Sequence, residues 1–540
     1  MYKIKTGKEY QMLKWFLFNL LLLVVCINGG ISWDTYDDPV MALILLRYGA
    51  ENTPFSNQLY LRLFDVLYEI FPQYNWWLII SIAEILVAFN IYIYILMKLG
   101  KKAAERKFYC FFFVLSTYYF VLRQVNFTRT ACYVANAGLI LFVLSKEMEC
   151  KWKVCNAAIG VFLYMIGAGI RLESALMVIP AACLMILYHG HLMLRQRIMR
   201  MAAMIIMFGT ICMILELTNQ AVMSADMSEW NSALSYKRTL SDYPVRFRQD
   251  ANIEALSAAG ILPSDIEFVK GASFTYKNVF NNENLKLLCD SVEVSLDIKF
   301  LYNEICLSMK YSSMIWFFIL GVLLMKRKRK VLIMYVVLMA LMESALMLLG
   351  RCPLRVFDSI LFVGTMNGIC CSCLVTEKEC FGVRDFWDHA ALILCAGLAV
   401  LLIVRGNVNN LIDTDLYRYT HKMTKEELDE IDFDKEHIYV MSSDKFVALA
   451  IPDNIFLNYD IAYCDNMLYQ EGFFSDLPIF DEILQTYHVK DAVELMYSSQ
   501  DVYSAYNEKL IVFLEEHGCR LRIVERGMIG NTKIVQYSRS

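Results

Sequence analysis

Several signals of soluble function are missing from the sequence. Only 20% of its 540 residues are charged, and 51 Lys and Arg against 55 Asp and Glu leave a net charge of −4, so no overall basic field points to nucleic acid. The seven His form no cluster with metal-ligand spacing. The 17 Cys are mostly scattered singly along apolar runs, where a thiol is a small apolar residue, and show no disulfide framework. No A-x-A cleavage site follows the first apolar run, which is read as a retained span and not a leader. What is abundant is apolar: 57% of residues are hydrophobic and the mean hydropathy is +0.42, above the roughly 45–50% apolar share of soluble domains. A soluble enzyme is thereby disfavoured, and the bilayer is the main solvent.

Apolar runs bounded by charge predict about eleven transmembrane helices. They are Leu13 to Ile31, Trp76 to Leu96, Phe108 to Leu122, Thr130 to Leu144, Val154 to Ile170, Ser174 to Tyr188, Met201 to Leu217, Met314 to Met325, Val331 to Leu349, Val356 to Val375 and Phe386 to Val404. The Lys- and Arg-rich segments at the N-terminus and at 98–107, 146–153, 195–200 and 326–330 all fall on one side under alternating crossings, which the positive-inside bias makes the cytoplasm. A multi-pass plasma-membrane protein follows, with segments 32–75, 219–310 and 406–540 outside. Residues 1–405 form the membrane domain, with an interfacial helix over Val40 to Tyr48 and a helical outer cap at 219–310. The helical stretches expected in that cap are Asp250 to Ala259 and Glu283 to Lys299.

Residues 406–540 alternate strand-like runs (His437 to Met441, Phe446 to Ile451, Val493 to Tyr497, Arg520 to Val524, Lys533 to Tyr537) with helical ones (Ile479 to Tyr487, Val502 to His517). A small α/β or α+β domain is expected. It holds no G-x-G-x-x-G, P-loop or C-x-x-C, so binding or shielding is expected of it. Cys289 with Cys306, and Cys464 with Cys519, are candidate disulfides, and the Cys370, Cys371 and Cys373 cluster reads as packing inside a span.

Directly after the first span come Asp34, Asp37 and Asp38. Asp38-Pro39 suits a helix start, with Asp38 as cap, but capping does not need three acids. Three carboxylates within five positions repel one another, which raises proton affinity at one of them or invites a divalent cation such as Mg or Mn at Asp37 and Asp38. Arginines stand on the side where the positive-inside bias disfavours them: Arg123 and Arg129, Arg171 with Glu173, and Arg351 with Arg355. Each alone could snorkel to headgroups, whereas together they favour an anionic ligand, because guanidinium forks match phosphate oxygens. Glu84 and Glu343 lie within spans and must face protein or water, as partners of the outer arginines, as protonated acids or as substrate contacts.

The acidic pair after span one, the juxtamembrane helix, about eleven spans and the outer tail resemble the GT-C superfamily of integral-membrane glycosyltransferases. The strings Asn126-Phe127-Thr128 running into Ala137-Gly138, Arg171-Leu172-Glu173 before Pro180, Asp242-Tyr243-Pro244, and Gly350-Arg351-Cys352-Pro353-Leu354-Arg355-Val356 are similar to those of bacterial members. The resemblance implies transfer of a sugar from a polyprenyl-phosphate donor to an extracytoplasmic glycan, lipid or protein acceptor. A first-loop carboxylate, Asp37 or Asp38 here, with Asp34 as a third candidate, would act as base or metal ligand. A polysaccharide polymerase or ligase using the arginines on a lipid diphosphate is the alternative. A flippase or transporter coupled through Glu84 and Glu343 is a third.

Overall fold

The computed structural model describes residues 6–29, 31–33, 37–99, 110, 113–114, 117, 121–122, 124–145, 153–188, 193–270, 275–295, 298–312, 314–325, 328–374, 437–441, 456–458, 466–469, 472–529 and 532–540. Among the described residues, six helices are long and apolar enough to cross a membrane: α4 Trp76–Leu99, α5 Phe127–Leu144, α6 Lys153–Ile170, α9 Leu194–Val222, α16 Arg329–Leu348 and α17 Leu354–Leu374. The chain is thus a helical membrane-embedded protein. Of the eleven expected spans, that of 108–122 lies largely, and that of 386–404 wholly, outside the described residues. Helix α1, Thr6–Gly29, carries a shorter apolar stretch at Leu13–Val24, and Ile315–Met325 (α15) has 11 residues. The run expected as one helix over Ser174 to Tyr188 is instead two, α7 Leu172–Met177 and α8 Ile179–Leu187. Pro180 explains the break, because its ring has no N–H to bond the preceding turn and crowds the carbonyl four residues back.

Helices α5 and α17 form the centre of the bundle and are buried along most of their length. Two polar links join them. Asn367 donates to Asn136 at 2.7 Å, and Asn136 donates to the Tyr92 hydroxyl at 3.0 Å. Nearer the N-termini of both helices, Arg129 Nη2 meets Asp358 Oδ2 at 2.8 Å. Hydrogen bonds of this kind hold helices together where lipid offers no hydrophobic drive for association. Helices α5 and α6 approach through small residues: a Cβ on Gly138 would lie 2.4 Å from the Gly160 carbonyl oxygen, and one on Gly167 would lie 2.6 Å from that of Ala131. In contrast, α9 leaves Ile206, Met213, Ile214 and Leu217 exposed, as a lipid-facing helix does.

The helix after α1, α2 Asp37–Tyr48, differs from the interfacial helix expected at Val40 to Tyr48. Residues Asp38 to Leu45 are all buried, because the run is apolar on every side and has no polar face to turn to water. The two-faced helix is the next one, α3 Gln58–Ile70, which buries Leu61, Phe64 and Tyr68 and exposes Leu59, Leu63, Val66 and Ile70.

After α9 comes a helical cap: α10 Ala225–Asp242, α11 Ile253–Ala258, α12 Asp265–Lys270, α13 Asn282–Ser291 and α14 Ile298–Tyr311. The helix expected over Glu283 to Lys299 is interrupted, because Val292–Val294 pairs antiparallel with Val245–Phe247. In the tail, five strands, β5 Ile438–Met441, β6 Met467–Tyr469, β7 Val502–Ala505, β8 Leu521–Ile529 and β9 Thr532–Arg539, form a mixed sheet in the order β6-β5-β7-β9-β8. The strand expected at Val493 to Tyr497 is a helix, Ala492–Ser498. Asp491 caps its start, accepting from the Glu494 amide at 2.8 Å, and the Glu494 carboxylate accepts from the Lys490 amide just before the cap at 2.9 Å. The helix expected from Val502 begins as strand β7 and turns helical only at Glu508, where Asn507 caps it. The run expected as a strand at 446–451 lies outside the described residues.

First loop, cap and tail meet at one end of the bundle. The Asn75 amide donates to the Phe456 carbonyl at 2.9 Å, and Lys237 pairs with Asp476. Cys289, Cys306 and Cys519 are free thiols, with the Cys289 sulfur 3.4 Å from the Tyr236 carbonyl oxygen, so Cys289 and Cys306 do not form the candidate bridge. Cys464 lies outside the described residues.

Candidate anion site

The two acids at the start of α2 have different surroundings. Asp38 is fully buried and accepts three N–H donors: Trp77 Nε1 at 3.1 Å, the Phe127 amide at 3.1 Å and Asn126 Nδ2 at 3.1 Å. Asn126 in turn accepts from the Thr128 and Arg129 amides, so Asn126 and Asp38 together satisfy the exposed amides that begin α5. Asp38 caps a helix, but the helix is α5 and not its own. The parallel pairing of Ser32–Trp33 with Gln124–Val125 brings the two segments together.

Asp37, one residue earlier, keeps 35% of its side chain accessible and sits 3.7 Å from Arg355 Nη2. Around it four arginines converge from three separate segments. Arg171 begins α7, Arg238 lies in the last turns of α10, and Arg351 and Arg355 flank the start of α17. All four lie within electrostatic range of one another and of Asp37. Each is anchored. Arg171 donates to the Thr128 hydroxyl at 2.7 Å, stands 4.9 Å above the Phe127 ring and pairs at 3.7 Å with Glu173, which is 67% exposed. Arg351 pairs with Asp242. Gly350 makes that reach possible: its φ of +95° belongs to the left-handed region, and a Cβ there would press on Val294, Tyr243 and Pro244.

Burial, followed by repulsion from Arg355, Arg238 and Arg171, pushes Arg351 down to about 10. Arg171 is lowered by burial first, with Arg355 and Arg238 adding to the effect against Glu173 and Asp37, and Arg238 is lowered by burial first and by Arg355. Guanidiniums that are partly desolvated and mutually repelling gain from an anion placed among them.

The other candidates are placed elsewhere. Arg129 is 3% accessible and held by Asp358, which also accepts from the Ser312 hydroxyl at 2.5 Å, so the pair ties α5 to α17. Glu84 accepts from the Tyr60 hydroxyl at 3.0 Å, and Glu343 is half-buried in α16; neither has the arginine partner expected of it among the described residues. Asp34 and Arg123 lie outside the described residues. Arg238 is the site residue that sequence reasoning missed. It sits in the outer cap, in the run Tyr236-Lys237-Arg238, and its signal was its place four residues before Asp242-Tyr243-Pro244.

A divalent cation does not fit an Asp37–Asp38 pair. The Asp38 oxygens are engaged by N–H donors, Asp37 faces guanidinium groups, and among the described residues no three His, Cys, Asp or Glu side chains are arranged to hold a metal. Three of the strings quoted for the GT-C resemblance contribute residues to this cluster, Arg171 with Glu173, Asp242, and Arg351 with Arg355, whereas Arg238 lies in none of them. Comparison with protein-family models, with curated proteins and with solved structures finds no match to the chain.

Proposed function

We propose that the chain is an integral-membrane glycosyltransferase of the GT-C kind, moving a sugar from a polyprenyl-phosphate donor to an extracytoplasmic acceptor. The observation that carries this reading is the accessible Asp37 carboxylate, 3.7 Å from Arg355 and set among Arg171, Arg238 and Arg351 at the end of a membrane bundle. Asp37 takes the proton of the acceptor hydroxyl as its oxygen attacks the anomeric carbon. The bond from that carbon to the phosphate oxygen breaks, and its electron pair leaves with the lipid phosphate. Attack from the face opposite the leaving group inverts the anomeric centre. The guanidiniums stabilise the charge that grows on the departing phosphate. Asp38, engaged by three N–H donors, fixes the position of α2 and thereby of Asp37.

A second reading, a polymerase or ligase acting on a lipid diphosphate, draws on the Asp37–Arg355 pair itself, since a carboxylate that only orients an arginine need not move a proton.

Both readings require the cluster to bind a lipid phosphate. Binding of farnesyl phosphate by the detergent-purified chain is expected to weaken roughly 10-fold or more in each of Arg355→Ala and Arg171→Ala, as loss of a charge-assisted hydrogen bond implies. Unchanged affinity in both variants would remove the phosphate role.

A further inference from the structure

Phe55 lies in the turn before α3 with φ of +71°, in the left-handed region that a bulky side chain avoids. A turn needing only that backbone would be served by glycine, so the phenyl ring must contribute something glycine cannot. Its ring contacts come from two parts of the molecule, the cap helix α10 and the tail. The Arg238 guanidinium stands 5.0 Å above the ring centroid, at the distance of a cation–π contact. The Trp230 ring approaches edge-on at 6.2 Å and the Phe474 ring at 5.6 Å, the first from the cap and the second from the tail.

The backbone beside Phe55 is fixed to the turn that bears Arg171. Ser56 Oγ donates to the Ile170 carbonyl at 2.8 Å, and the Asn57 amide donates to the Gly169 carbonyl at 2.8 Å. On the other side, Lys237 and Trp230 both engage Asp476 of the tail, which holds the helix carrying Arg238. Phe55 is therefore held beside the turn that bears Arg171 by the two residues that follow it, while its ring touches Arg238.

We propose that Phe55 is a positioning residue of the anion site: its ring supports Arg238 while its backbone is locked to the Arg171 turn, so that both guanidiniums address one phosphate. The inference rests on reading the arginine cluster as a lipid-phosphate site. It adds that the site is assembled by three separate segments, with the tail setting the position of Arg238 through Phe474 and Asp476.

The test measures farnesyl phosphate binding by the full-length chain in detergent, together with thermal unfolding. Phe55→Leu is expected to weaken binding about 3- to 10-fold, the range of a partly desolvated cation–π contact, and Phe55→Tyr to restore it. In an Arg238→Ala background, Phe55→Leu should have no further effect on affinity, whatever it does to the unfolding temperature; a purely structural role would add its loss in both backgrounds. Phe55→Leu binding as tightly as wild type, or losing the same factor with and without Arg238, overturns the inference while leaving the phosphate site standing. Wild-type chain that fails to bind farnesyl phosphate overturns the site and the inference together.

Discussion

Replacing Asp37 with Asn is expected to lower sugar transfer from a polyprenyl-phosphate donor by roughly 10²–10⁴-fold, the usual contribution of a positioned general base, while farnesyl phosphate still binds. Asn is nearly isosteric and keeps an acceptor for Arg355, so the change removes proton uptake more than it removes the pocket. Asp38→Asn should behave differently. Its side chain is fully buried and accepts three N–H groups, and an amide would present its own donors to some of them. A cost of about 2–4 kcal/mol in stability is expected, read as a lower unfolding temperature with reduced yield of folded protein. Transfer unaffected by Asp37→Asn but abolished by Arg355→Ala would favour the polymerase or ligase reading.

The largest effect on stability is expected at the ion pair between α5 and α17. Arg129→Met leaves the Asp358 carboxylate buried opposite a thioether and is expected to cost about 3–5 kcal/mol, as does loss of one partner of a buried pair generally. The double variant Arg129→Met with Asp358→Leu should recover much of that loss, because no charge then remains in the apolar interior. Thermal unfolding of the purified chain in one detergent measures all three. A weaker affinity for farnesyl phosphate in Arg129→Met with no change in unfolding would instead place Arg129 in the ligand site.

The two central helices were legible in the sequence because their apolar runs are long, whereas the contacts of the first loop and the cap with the tail, Asn75 with Phe456 and Lys237 with Asp476, join segments far apart in the chain and left no such trace. Asp37 with Arg171, Arg351 and Arg355 was legible as chemistry out of place: acids and arginines at span ends where lipid and positive-inside bias disfavour them. Asp38 and Arg129 carried the same signal for a different reason. A buried capping acid and a buried ion pair look like site residues in sequence, since what separates them is the partner, here Asn126, Trp77 and Asp358, and partners distant in the chain leave no local trace. Arg238 and Phe55 were hidden for the converse reason. Each sits in a segment whose local pattern is that of polar surface, and only the packing of cap on first loop gives them a role. The misplaced interfacial helix came from reading apolar spacing in α2 without weighing that a run apolar on every side is buried, whereas α3 has the two distinct faces.

In the proposed function, Asp37 and the four arginines form one site for a lipid phosphate. A structure of the chain with farnesyl phosphate bound tests it most directly. The phosphate group is expected among Arg171, Arg238, Arg351 and Arg355, with the Asp37 carboxylate close enough to reach, directly or through one water at about 2.6–3.2 Å per hydrogen bond, a hydroxyl aligned to attack a sugar on that phosphate. A phosphate bound away from these arginines, or bound with Asp37 turned out of such reach, would contradict it.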